Sequence, residues 1–293
     1  MYKFLEKETN IKKTKIDSSL MSSVIYHNIF DYPLKIAELD FWKVGKGQED
    51  INFQGVAAQI KQNYIFVLGR ENLIAKRIFR EKISREKIKI AISASYIIGK
   101  IPSVECVMLT GALCMKNADF NSDIDLFIIT KKNTLWSTRP LVYLVLKLCG
   151  FKLRRAHDSD QKDRLCLNMW AEGIFSWEKP RRNIFTAHEI LQMHPLVNKN
   201  NIYEKFILKN KWVKDYWPNA YLKTKKRIVV NHKSKKYLNE VFVKVLRALN
   251  YFLFKIQYKY MKNKITNETI KKQKAFFHPV NWSDIVLTRL KKG

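Results

Sequence analysis

Only four cysteines occur in the 293-residue chain, Cys106, Cys114, Cys149 and Cys166. They form no Cys-x-x-Cys pair and have no histidine at ligand spacing. This excludes a zinc ribbon and a disulfide-stapled scaffold, and reduced cytosolic thiols fit best. No stretch approaches the ~18 uninterrupted apolar residues of a membrane span. The opening Met-Tyr-Lys-Phe-Leu-Glu-Lys-Glu alternates charge and lacks the apolar core of a signal peptide. A cytoplasmic protein without membrane attachment is expected. There are no internal repeats and no low-complexity tract. No Ser-His-Asp order or Cys-His pair has the spacing of a covalent nucleophile. His157, beside Asp158, lies in a polar loop. His194 and His278 each adjoin a proline and read as turn residues.

Acidic residues are the other scarcity, 26 Asp plus Glu against 55 Lys plus Arg, for a formal net charge of +29 and a pI near 9.9. Such an excess favours polyanionic partners, nucleic acid above membrane, although a Lys-, Ile- and Asn-rich composition also produces merely solvated lysine. From Asn201 onward 23 basic residues face 5 acidic ones, which concentrates 18 of the 29 net charges in the last third of the chain. With 46% hydrophobic and 13% aromatic residues, the chain is globular and long enough for two or three modules.

Met21, Val24, Ile25 and Ile29 recur at helical spacing, and the Asp31-Tyr32-Pro33 turn stops that helix. A second short helix is expected around Ile36, Leu39 and Trp42, and a third around Val56, Ala57 and Ile60. A hairpin of Tyr64–Leu68 and Leu73–Ile74 about Gly69 follows. Helix, helix, helix, hairpin is the order of a winged helix, a fold whose third helix usually reads the major groove. Here that segment holds a single basic residue, Lys61, so protein interaction or dimerisation weighs nearly as much. A charged linking helix is expected over 75–100, then buried strands at Val104–Leu109, Leu126–Ile129 and Arg164–Trp170, with a helix over Arg139–Cys149. Beyond Asn183 no further strand is expected before the end. Leu238, Val241, Val245, Leu249, Phe252 and Ile256 mark a long amphipathic helix. Its aromatics, Tyr251, Phe252, Phe254, Tyr258 and Tyr260, read first as core and second as a grip for single-stranded RNA.

The chemistry is concentrated between Leu109 and Leu126. Asp123 and Asp125 are two apart on a strand, so their carboxylates converge on one face, and two negative charges held that close call for a divalent cation. Upstream, a strand runs into Gly111 and a short helix, a turn that presents backbone N–H groups to a phosphate. Metal on one side and a phosphate cradle on the other suit in-line phosphoryl or nucleotidyl transfer.

The apolar strand, Gly111 and Ser122-Asp123-Ile124-Asp125-Leu126 twelve residues on resemble the signature of the DNA polymerase β-like nucleotidyltransferases. The likeness is closest to their small microbial members and spans roughly 101–171. It implies Mg²⁺ or Mn²⁺ held by Asp123 and Asp125, and a nucleoside triphosphate seated by Gly111, Ala112, Lys116 and Ser122. It also implies a third carboxylate from a later strand. The chain departs from the pattern at three points. Ala112 replaces the usual serine, Met115 and Lys116 stand where arginine and glycine are common, and the later strand offers Cys166 or Asn168 in place of the acid. Asp163 is the nearest substitute.

The expected architecture is mixed α+β: a winged-helix-like module over 1–74, a linking helix over 75–100, a nucleotidyltransferase-type mixed sheet with flanking helices over 101–183, and a basic helical domain over 184–293. The expected function is transfer of a nucleoside monophosphate to RNA or to a protein hydroxyl, catalysed by Asp123, Asp125 and Asp163. RNA or DNA would bind the basic C-terminal helices. The rival reading is a catalytically degenerate protein of the same fold that acts as a nucleic-acid-binding regulator.

Overall fold

A computed structural model describes residues 17–52, 54–154, 160–226, 237–266, 268–277 and 280–292. The opening stretch, His157, Asp158 and His278 lie outside the described residues.

Helix α1 (Ser18–Asn28) starts at Asp17, whose carboxylate accepts from the Leu20 N–H and so satisfies an orphan donor of the first turn. Strand β1 (Leu34–Lys35) and the single-turn α2 (Ile36–Leu39) follow. The third helix expected around Ile60 is absent. Residues Gln48–Asp50 make one 3₁₀ turn, and Ala58–Lys61 is strand β2, paired antiparallel with β3 (Tyr64–Val67). Gln62 and Asn63, both at positive φ, close a two-residue hairpin there, and this turn fixes the register that a three-and-four spacing had disguised. Leu73 and Ile74, expected in the hairpin, instead begin α3 (Asn72–Gly99). Strands β1, β3 and β2 form a small sheet in that order.

Helix α3 links two regions through buried cations. Arg77 grips Glu38 with both terminal nitrogens (2.7 and 2.8 Å) and lies over the Tyr32 ring. Ten residues on, Lys87 donates to the carbonyls of Phe120 and Ser122 and to Asp163 Oδ1.

The main sheet is built from β4 (Val104–Leu109), β5 (Ile124–Thr130), β6 (Leu165–Glu172), β7 (His194–Asn198), β8 (Thr269–Lys271) and β9 (Lys274–Phe276). Its order is β7-β4-β5-β6-β9-β8, with β5 and β6 parallel and the other neighbours antiparallel. Along β5 the residues alternate between two cores. Ile124, Leu126 and Ile128 face the layer of α3 and α4 (Leu135–Leu148), while Phe127 and Ile129 face α5 (Ile184–Gln192), α6 (Ile202–Lys209) and α1. Both faces are covered, so the strand reads as one apolar run.

The segment expected to be purely helical contributes β7, β8 and β9. β7 carries Pro195, which costs no ladder bond because this is an edge strand, so His194 lies in a strand and not in a turn. The short α7 (Val213–Tyr216) and α8 (Pro218–Lys226) complete the α5 side. Helix α9 (Tyr237–Met261) lies across α4, and α10 (Trp282–Lys292) packs beneath α5.

The orientation of α9 reverses the expected one. Val243 and Leu246 are buried, while of the stripe read from periodicity Val241, Val245, Leu249, Phe252 and Ile256 all face solvent, the Leu238 side chain lying outside the described residues. Of the aromatics, Phe254 packs on Trp136, whereas Tyr251, Phe252 and Tyr260 are more than half exposed. The helix makes its main contact with α4. Among the described residues no helix is long and apolar enough to cross a membrane.

Candidate metal and nucleotide site

β4 ends at Leu109, and Thr110 still donates its N–H to the Asp125 carbonyl, so the turn that follows is pinned beside β5. Gly111 opens a 3₁₀ turn (Gly111–Met115) at φ +67, and a Cβ there would lie 2.7 Å from Asp125 Oδ2. Both the backbone angle and the contact demand glycine. The turn is therefore packed directly against the second acid.

Asp123 precedes β5 by one residue and Asp125 lies within it. In the parallel register Asp125 faces Cys166 across the strands. One ligand atom from each of Asp123, Asp125 and Cys166 falls within 4.8 Å of the others. Asn168, two residues further along β6, donates its amide to Asp125 Oδ1 (2.8 Å). The two strand positions read from the sequence thus both reach the acids.

Burial pushes the Asp125 carboxyl up to about 7, with repulsion from Asp123 adding to it. Hydrogen bonding to Cys166, the charge of Arg154 and the Asn168 bond offset part of the rise. Asp123 has a cation of its own in Arg154, whose Nη1 sits 2.5 Å from Oδ2 and 3.5 Å from Cys166 Sγ. Burial and then the two aspartates drive the Cys166 thiol far above its ordinary range, so it remains protonated.

Asp163 does not join the acids. It sits at φ +57 with its carboxylate 2.7 Å from Lys87 Nζ, held by the linking helix. The group that reaches the acid pair in place of a third carboxylate is Cys166. Ser122 is also engaged elsewhere: its hydroxyl donates to Asp119 Oδ1 and its carbonyl accepts from Lys87. Ala112 is exposed at the mouth of the turn. Lys116, exposed as well, ends the turn in the left-handed region at φ +55.

Three contributors escaped the sequence reading. Arg154 arrives on the segment between α4 and β6, where Leu153 bridges Leu165, and no local pattern signals it. Glu189 and Gln192 come from α5. Gln192 Nε2 lies 2.6 Å from Glu189 Oε1 and 3.4 Å from the Gly111 carbonyl. Burial, then the charge of Asp125, pushes Glu189 up to about 7.

The acid pair is short of positive charge. Two hard oxygen donors suit Mg²⁺ or Mn²⁺, whereas the protonated thiol does not add a ligand for either. Asp125 gains most from a cation, since Asp123 already has Arg154. Comparison with known proteins finds no matching family model, no matching curated protein and no matching solved structure.

Proposed function

We propose that the chain is a Mg²⁺-dependent nucleotidyltransferase of the polymerase β-like kind. It would move a nucleoside monophosphate from a triphosphate to an acceptor hydroxyl of RNA or protein. The observation that carries this reading is the packing of the Gly111 turn on Asp125, 2.7 Å from a hypothetical Cβ. A triphosphate resting on that turn would lie against the acid pair. The pairing of β4 with β5 antiparallel and of β5 with β6 parallel, between helical layers, supports the same affiliation. The order α1, β1, α2, β2, β3 supports a winged-helix kinship for the N-terminal module even without its third helix.

A divalent cation on Asp123 and Asp125 would polarise the α-phosphate and neutralise the leaving pyrophosphate. The chain's own groups have distinct tasks. Asn168 holds Asp125 in a fixed rotamer through its amide. Arg154 stands where it can exchange Asp123 for a phosphate oxygen, a substitution that guanidinium geometry favours. With a protonated thiol in place of a third carboxylate, removal of the acceptor proton falls to Asp125 or to solvent.

The Arg154–Asp123 pair and Cys166 favour a second reading, in which the fold is kept, transfer is lost and the protein regulates by binding nucleic acid. Incubation with Mg²⁺ and each labelled triphosphate, with and without bulk RNA, separates the two. Pyrophosphate release that disappears in Asp123→Ala is the result expected for transfer. No turnover by the wild-type chain, together with salt-sensitive RNA binding, would replace the first reading with the second.

A further inference from the structure

At the opposite end of β5 from the acids, roughly 25 Å away along the strand, the surface opens into a cavity of about 660 Å³. Lys131 and Lys132 enter it from the end of β5, and Lys244 and Arg247 enter it from α9. None of these four cations has a carboxylate within 4 Å among the described residues. Glu105 and Glu240 also line the cavity, which leaves positive charge in excess. Unpaired cations converging on a concave surface attract phosphate and gain little from one another.

Beyond Arg247, the last α9 residue that lines the cavity, the same helix edge carries further cations and rings. Lys244, Arg247, Tyr251, Lys255 and Tyr258 follow at steps of three, four, four and three, so they share one edge of α9. Tyr251 is 52% exposed and has two cations near its ring: Lys255 Nζ is 4.8 Å from the centroid, and Lys272 Nζ, from the β8–β9 turn, is 4.9 Å away. Tyr258, further along, leans on Phe254, which in turn packs on Trp136. Cations interspersed with exposed rings over roughly 21 Å of helix match the alternation of charge and base along a single strand.

We propose that this cavity and the α9 ridge form a binding site for single-stranded nucleic acid, with phosphates in the Lys131, Lys132, Lys244 and Arg247 cluster and a base on Tyr251. A duplex keeps its base faces stacked inside and could not use the tyrosines. A second copy of the chain would set cations against cations. The site binds whether or not the acid pair transfers a nucleotide, so failure of either proposal leaves the other intact.

The test is fluorescence anisotropy of the full chain with a labelled mixed-sequence single strand of about 12 nucleotides, alongside a duplex of the same length. Lys244→Glu with Arg247→Glu is expected to weaken single-strand binding by at least roughly tenfold. The control pair Lys211→Glu with Lys214→Glu, exposed lysines elsewhere, is expected to weaken it by less than about threefold. Tyr251→Ala should cost roughly fivefold or more, and Tyr251→Phe should retain binding. Any α9 variant with a lowered melting temperature is replaced by Lys131→Gln with Lys132→Gln, which leaves the helix untouched and should weaken binding as well. Equal losses in the site and control pairs would overturn the proposal, as would an unaffected Tyr251→Ala. Preference for anionic phosphatidylglycerol vesicles over the oligonucleotide would also overturn it.

Discussion

Gly111 and Arg154 show how differently single residues shape one site. At Gly111 the backbone is left-handed and the space for a Cβ is already filled by Asp125 Oδ2. Gly111→Ala is expected to lower stability by ~1–3 kcal/mol and to displace Asp125, so thermal melting and Mg²⁺ titration should both change. Arg154 neutralises Asp123 by itself. Arg154→Gln is therefore expected to tighten Mg²⁺ binding by about tenfold, read by isothermal titration, whereas unchanged affinity would mean that the guanidinium and the ion do not compete. The two residues were unequally legible. Gly111 announced itself because a glycine between an apolar strand and an Asp-x-Asp has few other uses. Arg154 acts through a pairing that forms only after the segment beyond α4 folds back on β6, and its local sequence is that of any basic loop. Asp163 misled for the related reason that proximity along the chain says nothing about Lys87, a partner seventy-six residues upstream.

Among the elements, β4, β5 and β6 were readable because both faces of each are buried and their composition reports it directly. β2 was read as a helix since Val56, Ala57 and Ile60 fit a three-and-four spacing. β7, β8 and β9 left no trace because they are short edge or near-edge strands, β7 paired with β4, β9 with β6 and β8 with β9. Helix α9 was found, but its exposed stripe was taken for its buried one, since periodicity reveals a face and not what covers it. What α9 does bury has a specific task. Asn250 Oδ1 accepts from the N–H groups of Trp136 and Ser137, at 2.8 and 3.2 Å, and so caps the first turn of α4 from a distant part of the chain. Gln257 closes the same contact, accepting from Arg139 and donating to the Trp136 carbonyl. Asn250→Ala is expected to cost ~1–2 kcal/mol, visible as a lower denaturation midpoint, with Asn250→Asp retaining most of the capping.

At the scale of the whole molecule, α1 is joined to α5 through two histidines. His27 Nδ1 bonds the Ser23 carbonyl, and its Nε2 lies 3.3 Å from His188 Nε2 inside a box of Tyr26, Trp42 and Trp217. Burial depresses His27 to about 4 and holds His188 well below its ordinary range, with Glu38 and Arg77 acting on His27 in opposite senses and Gln192 favouring the charged His188. The unfolded chain takes up these protons near pH 6.5, before the folded one does. This contribution to stability is therefore complete above pH 6.5 and is lost as pH falls toward 4, with His27 alone accounting for about 3 kcal/mol. Denaturant midpoints measured across that range should fall, and His27→Phe should flatten the profile; an equally steep profile in that variant would assign the loss to other groups.

Helix α10 gives the same union a temporal meaning. Its Val286 and Leu290 are buried in the core that includes α1, the Leu290 carbonyl accepts from the Asn52 N–H, and Ser283 bonds Asn183. The N-terminal module thus borrows part of its interior from residues made more than two hundred positions later. On the ribosome it cannot complete its packing as it emerges, and a partly closed module with an open apolar face must wait until α10 has been made. Co-translational closure of this module should accordingly be late, and the interval before α10 arrives is when its apolar face stands open.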